Sequence, residues 1–258
     1  MTELLLTRGR VETAWWGPPP DAAPTLVLLH EGLGCVKLWR DFPIALQAAT
    51  GFGVFAYSRF GYGGSDPIPL PRPMTYMHEE ALEVLPEVLD RSGIRKAILI
   101  GHSDGGSIAA IHAGATQDLR LLGIAMMAAH FIVEDLNIAA IRQIKQTYET
   151  GDLRARLARY HADVDGAFYG WNGAWLDPRF RQFDITGYLE AIRVPICALQ
   201  GTDDPYGTDE QLRVLERHAS ADTHLIAGAR HSPHLEAPTE TLAVIAAFAR
   251  SFQPEGSS

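Results

Sequence analysis

A chain of 258 residues, 47% of them apolar, carries enough hydrophobic material for one large core and is neither disordered nor fibrous in composition. Its 31 acidic against 22 basic residues leave a net charge of -9, which argues against nucleic acid or an anionic membrane as partner, since both need basic patches. Only two cysteines occur, Cys35 and Cys197, far apart and in no metal-ligand spacing, so no disulfide framework and no metal are expected, and the reducing cytoplasm is the expected compartment.

The N-terminal stretch has one short apolar run before Arg8 and Arg10, and no run approaches the roughly 18 residues of a membrane span; neither signal peptide nor anchor is expected. An edge hairpin is predicted through Val11 and Trp15. Residues 26–30, 54–58, 97–101, 123–128, 196–201 and 224–226 read as strands, most of them continuous apolar runs of the kind that a parallel sheet covered on both faces needs. Between them, residues 38–50, 76–90, 107–115, 209–218 and 239–252 place apolar side chains three and four apart and read as helices. Pro86 should kink or restart the second of these.

One segment breaks the alternation. Residues 134–192 are helical in pattern, without a strand signal, and carry Phe168, Tyr169, Trp171 and Trp175. So long an excursion between strands reads as a helical cap inserted into a core made of residues 1–133 and 193–258. The alternative is a few extra helices packed beside the sheet. Residues 253–258 read as a frayed tail.

The chemistry concentrates at strand ends. Gly101-His102-Ser103-Asp104-Gly105-Gly106 follows a buried strand and precedes a helix, the context that a G-x-S-x-G nucleophile turn requires. The turn is sharp, so the flanking residues must be small, and Ser103 is the candidate nucleophile. In that architecture the acid and then the histidine follow in the chain. Gly201-Thr202-Asp203-Asp204-Pro205 closes a later strand, and Asp204 is preferred as the acid, with Asp203 as a loop carboxylate. His231 follows the last strand and is the candidate base, while His234 should pack against the next helix. Such a set needs no metal and no organic cofactor.

After the first buried strand, His30-Glu31-Gly32-Leu33-Gly34 either links strand to helix or supplies an oxyanion hole, with the backbone N–H groups of Gly32 and Asp104 as the donors. A carboxylate at Asp104 lies beside any developing oxyanion, so it must turn away, be paired, or be offset by something the substrate brings. The plainer reading is that it stabilises the N-terminus of the following helix, the sharper one that with Glu31 it gives the pocket a negative wall favouring cationic or neutral substrates. Glu31, Trp39, Phe131, Trp171 and Trp175 are candidates for a substrate pocket, although large aromatics are more often packing residues.

With these residues in hand, the chain resembles the α/β-hydrolase superfamily over almost its whole length. The resemblance rests on His30 with Gly32, Ser58 to Asp66, Gly101 to Gly106, Gly201 to Asp204, and His231 to Pro238. Small capped serine esterases are the nearest branch, including valacyclovir-hydrolase-like proteins with a Ser-Asp-Gly-Gly elbow. Glu31 departs from the pattern, standing where a glycine usually follows the histidine, and His102 stands where the carbon–carbon hydrolases tend to have asparagine. The resemblance implies an α/β-hydrolase fold, a mostly parallel central sheet flanked by helices with a helical cap, and hydrolysis of a small-molecule carboxylic ester or related acyl compound through an acyl-enzyme. The rivals are a carbon–carbon bond hydrolase of ring-cleavage products and a non-catalytic receptor on the same fold. Nothing in the sequence specifies an oligomeric state.

Overall fold

The computed structural model of the protein describes residues 2–253. Two antiparallel strands, β1 (Thr2–Leu6) and β2 (Gly9–Trp16), make one edge of the sheet. Parallel strands follow: β3 (Thr25–Leu29), β4 (Gly53–Tyr57), β5 (Ala97–His102), β6 (Leu121–Met127), β7 (Ile196–Gly201) and β8 (Asp222–Ile226). The eight lie in the order β1-β2-β4-β3-β5-β6-β7-β8. The chain leaves β3 toward one side of the sheet and leaves β5 toward the other. A crevice therefore opens at the carboxyl ends of these two neighbours, where open α/β sheets place their sites.

Alternation along the strands feeds two cores. Val27, Leu29, Leu99, Ile124 and Met126 face one side. Leu26, Leu28, Ile98, Ile100 and Ala125 face the other. Because both faces are covered, β3, β4, β5 and β7 are buried throughout, which is why they read as mostly apolar runs. β8 lies at the other edge and keeps Asp222 and Leu225 exposed.

The second core is roofed by α1 (Phe42–Thr50) and by the last helix of the chain. On the first face lie α2 (Tyr76–Glu79), α3 (Leu85–Arg91) and α4 (Asp104–Ala115). Between α2 and α3, Glu80–Val84 form a π-helical turn, and α3 restarts with Pro86 in its first turn. The wider turn accommodates the missing N–H of the proline and its crowding of the carbonyl of Leu82. Helix α4 starts three residues earlier than its apolar periodicity suggests, because Gly105 and Gly106 are helical without adding to that pattern.

The excursion between β6 and β7 holds α5 (Asp135–Thr150), α6 (Leu153–Leu157), α7 (Val164–Leu176) and α8 (Thr186–Leu189). A capping box between Glu134 and Asn137 starts α5, and a bridge between Ile132 and Asp184 closes the mouth of the excursion. Helix α8 lies against α4, where a Cβ on Gly114 would come within 2.2 Å of the Tyr188 carbonyl oxygen. The chain ends with α9 (Glu210–His218), α10 (Pro233–Glu236) and α11 (Pro238–Arg250). Gln253, expected to fray, donates its side-chain amide to the Thr50 carbonyl at 3.1 Å, and residues 254–258 lie outside the described residues. No helix among the described residues is long and apolar enough to cross a membrane.

Candidate active site

Ser103 sits between β5 and α4 at φ 52° and ψ -117°, a strained conformation for a residue with a Cβ. The turn closes so tightly that the positions two residues to either side, Gly101 and Gly105, have no room for side chains. A Cβ on Gly101 would stand 2.3 Å from the Gly105 carbonyl oxygen, and one on Gly105 would stand 1.9 Å from that of Leu29. Both obstacles are backbone and cannot swing away. Gly105→Ala should therefore cost about 1–3 kcal/mol of stability, the usual range for overpacking. Urea denaturation measures it, and an unchanged midpoint would refute the steric account.

The crowding projects Ser103 Oγ above the strand ends, 2.9 Å from His231 Nε2. His231 comes from the loop after β8, and its Nδ1 lies 2.8 and 3.0 Å from the two carboxylate oxygens of Asp204. A carboxylate only accepts, so Nδ1 carries the proton and Nε2 is left free to accept from the serine hydroxyl. Asp204 also accepts from the Gln200 side-chain amide at 2.7 Å and from the Tyr206 N–H at 2.7 Å. Burial pushes its pKa up, but His231 and the Tyr206 amide outweigh that and hold it below the ordinary aspartate value. Asp203 points out to solvent and receives only the Thr202 hydroxyl, at 3.2 Å. His234 is buried against Trp39 and Phe42, with ring centroids at 5.1 and 5.3 Å.

Gly32 and Asp104 line the same cavity, with Ser103. The Asp104 amide is among the first of α4, which a helix leaves without an internal acceptor. A Cβ on Gly32 would lie 2.1 Å from Nε1 of Trp171, so the indole rests directly on this glycine. Arg59, fully buried behind the loop, gathers its carbonyls: one guanidinium nitrogen donates to His30 O, and the other donates to Glu31 O at 3.0 Å. The Arg59 amide donates to His30 Nε2 at 3.0 Å, which leaves His30 Nδ1–H for the Glu31 carbonyl at 2.7 Å. Within the loop the Gly34 amide donates back to Glu31 O at 3.0 Å, whereas the Gly32 amide has no backbone acceptor among the described residues. The Asp104 carboxylate, whose charge needed a partner, accepts from the Tyr76 hydroxyl at 2.6 Å and lies 3.8 Å from Arg59. Trp175 Nε1 in turn donates to the Tyr76 hydroxyl at 3.0 Å.

The cavity over Ser103 has a volume of about 120 Å³. Of the aromatic and acidic residues expected to line it, Glu31, Trp171 and Trp175 do so. Trp39 and Phe131 do not. Trp39 belongs to the second core, beneath the strand ends, where it stacks on Phe42 at 6.0 Å. Phe131 is buried in the first core, with its backbone tied to Gln211 and Ile185 at the mouth of the excursion. In their place stand Leu33, His130, Asn137, Ile141 and Tyr206. His130 stacks on His231 with ring centroids 5.7 Å apart, and burial followed by repulsion from His231 lowers its pKa to about 3, so it faces the cavity as a neutral ring. Its position just past the end of β6 was the signal that could have marked it, since ligand-facing residues gather at strand ends.

A serine on a strand-to-helix turn, followed in the chain by an acid and a histidine on later loops, is the arrangement of the α/β-fold hydrolases. The chain belongs to the alpha/beta hydrolase family, whose sequence model matches residues 26–244. It is 29% identical to a non-heme chloroperoxidase from Streptomyces lividans over 219 residues, covering 73% of this chain and 76% of that protein. It is 28% identical to the esterase YbfF of Escherichia coli K12 over 193 residues, or 68% of this chain and 76% of the relative. Among solved structures, a meta-cleavage product hydrolase from Pseudomonas fluorescens IP01 superposes with a TM-score of 0.78 at 18% identity, covering 98% of each chain. That likeness is one of fold.

Proposed function

We propose that the protein is a serine hydrolase that cleaves carboxylic esters or related acyl compounds through an acyl-enzyme. The observation that carries this reading is the unbroken line from Ser103 Oγ through the His231 ring to Asp204, with separations of 2.9 and 2.8 Å. Ser103 Oγ attacks the acyl carbon as its proton passes to His231 Nε2. The carbonyl oxygen becomes an oxyanion between the amides of Gly32 and Asp104, and Asp204 stabilises the imidazolium. His231 then gives the proton to the departing alcohol, and water repeats the sequence on the acyl-enzyme. An esterase among the relatives supports the bond class. The cavity supports the size: at about 120 Å³ it is smaller than the roughly 150 Å³ that holds benzene, so it suits a short acyl group. Helices α5 and α7, which line it through Asn137, Ile141, Trp171 and Trp175, act as a cap over the reacting carbonyl. Two free cysteines fit a cytoplasmic home.

The test is turnover on a panel of short-chain esters, thioesters, lactones and dienones, together with labelling by a fluorophosphonate. Ester turnover with labelling at Ser103 is expected. Dienone turnover without ester turnover would move the reading to carbon–carbon cleavage, and no labelling would overturn it in favour of a binding protein. Because serine, imidazole and amides supply every step, exhaustive dialysis against a strong chelator should leave the ester rate unchanged. Loss of activity that a metal restores would contradict the mechanism.

A further inference from the structure

We propose that Glu31 and His102 form a charged strap, an imidazolium pinned between a carboxylate and a backbone carbonyl, that fixes the oxyanion loop to the loop carrying His231. This rests on the serine-hydrolase reading and adds two positioning residues to it. His102 precedes Ser103 and is 1% exposed. Its Nε2 lies 2.6 Å from the backbone carbonyl oxygen of His231, an acceptor, so that nitrogen bears a proton. Its Nδ1 lies 3.5 Å from Glu31 Oε2, beyond a good hydrogen bond but within ion-pair range. A neutral ring, itself buried, would turn its Nδ1 lone pair toward that carboxylate, whose side chain is 28% exposed. Acceptors on both sides call for protons on both nitrogens.

The remaining neighbours favour the same state. Trp39 offers only its ring, at 6.4 Å between centroids. His234, from α10, packs edge-on at 5.0 Å and is held neutral, its pKa near 3 through burial and then repulsion from His102. The His231 ring lies 5.3 Å away. Burial opposes the charge on His102, but Glu31, the His231 carbonyl and Asp204 together raise its pKa above the ordinary value. Burial likewise opposes ionisation of Glu31, and the His102 ring overrides it, so its pKa falls.

The strap has a chemical consequence. His231 becomes a cation during each turnover, and an uncompensated charge on His102 would oppose that step. Glu31 supplies the compensation. It also joins the two loops, because Glu31 adjoins Gly32 of the oxyanion hole and the His231 carbonyl belongs to the base itself. A charge-assisted hydrogen bond onto that carbonyl restrains His231 more firmly than a neutral one could.

Nitrogen-15 NMR of the intact protein tests the idea directly, with the His102 side-chain signals assigned by their absence in His102→Asn. At a pH just above the ordinary histidine value of about 6.5, native His102 should show protons on both nitrogens, and Glu31→Gln should leave one. On a chromogenic short-chain ester, Glu31→Gln and His102→Asn should each lower kcat about ten- to a hundredfold, as small misplacements of reacting groups do, with KM little changed. The double variant should be no worse than the poorer single one, the mark of groups acting as a unit. A singly protonated His102 in the native protein, or losses that multiply in the double variant, would overturn the strap. Failure of the serine reading would look different: the ester rate would survive Ser103→Ala, whatever the protonation of His102.

Discussion

Ser103→Ala should lower kcat on a short-chain ester by about a millionfold while leaving the fold intact, the usual cost of removing a triad nucleophile. The fold should survive because the oxygen has one side-chain partner, His231 Nε2, and the backbone at this position is held by other means. The Ser103 amide donates to the Met127 carbonyl at 2.8 Å, and its own carbonyl accepts from the Gly106 and Ser107 amides. None of these changes in alanine, whose Cβ occupies the same strained position. Activity should not vanish altogether. The amides of Gly32 and Asp104 and the binding cavity remain, and such remnants retain roughly a thousandfold or more over water. Ester kinetics, fluorophosphonate labelling and a melting curve on the same preparation separate the outcomes. A folded variant that keeps substantial esterase activity would remove Ser103 from the mechanism.

The sheet was legible because buried parallel strands have no polar face to disguise them: residues 97–101 and 196–199 are apolar on both sides. The nucleophile turn was legible for a related reason, since Gly101 and Gly105 answer to backbone obstacles that admit no alternative, and Gly106 to the Cβ of Ala129. What stayed hidden depends on side-chain direction. Trp39 and Trp171 look alike in sequence, yet one faces α1 beneath the strand ends and the other rests on Gly32, because a helical turn and an inserted helix approach the same loop from opposite sides. Arg59 shows only as one letter in a glycine-rich stretch. Its hold on the His30 and Glu31 carbonyls needs β4 to end beside β3, a pairing set by topology and not by spacing. Glu31 and His102 were visible as departures from the resembling family, but not as partners. Their contact joins residues 71 positions apart in the chain, and only the crevice between β3 and β5 brings them together.

Asp204→Asn should cost about ten-thousandfold in kcat, as the corresponding change does in the template triad, whereas Asp203→Asn should change the rate by no more than about twofold, in keeping with a surface substitution worth under about 0.5 kcal/mol. The contrast follows from counting acceptors. The Asp204 carboxylate takes hydrogen bonds from His231 Nδ1, the Gln200 amide and the Tyr206 N–H, using both oxygens. An asparagine has one oxygen. If the oxygen faces His231 and Gln200, the new NH2 meets the Tyr206 N–H, donor against donor. If it faces Tyr206, the NH2 meets His231 Nδ1 and drives the ring to the tautomer with its proton on Nε2, which can no longer accept from Ser103. The pH dependence has a fixed sign. The folded-state pKa of Asp204 is depressed, so its contribution to stability is present above the unfolded value of about 3.9 and is lost as pH falls through the lower folded value. Asp204→Asn removes that contribution, so native and variant stabilities should converge at acid pH and separate above it. Asp203, exposed and touching only Thr202, gives asparagine nothing to disturb. Parallel rate and denaturation measurements on the two variants decide the assignment: a large loss in Asp203→Asn with Asp204→Asn nearly native would transfer the acid to Asp203.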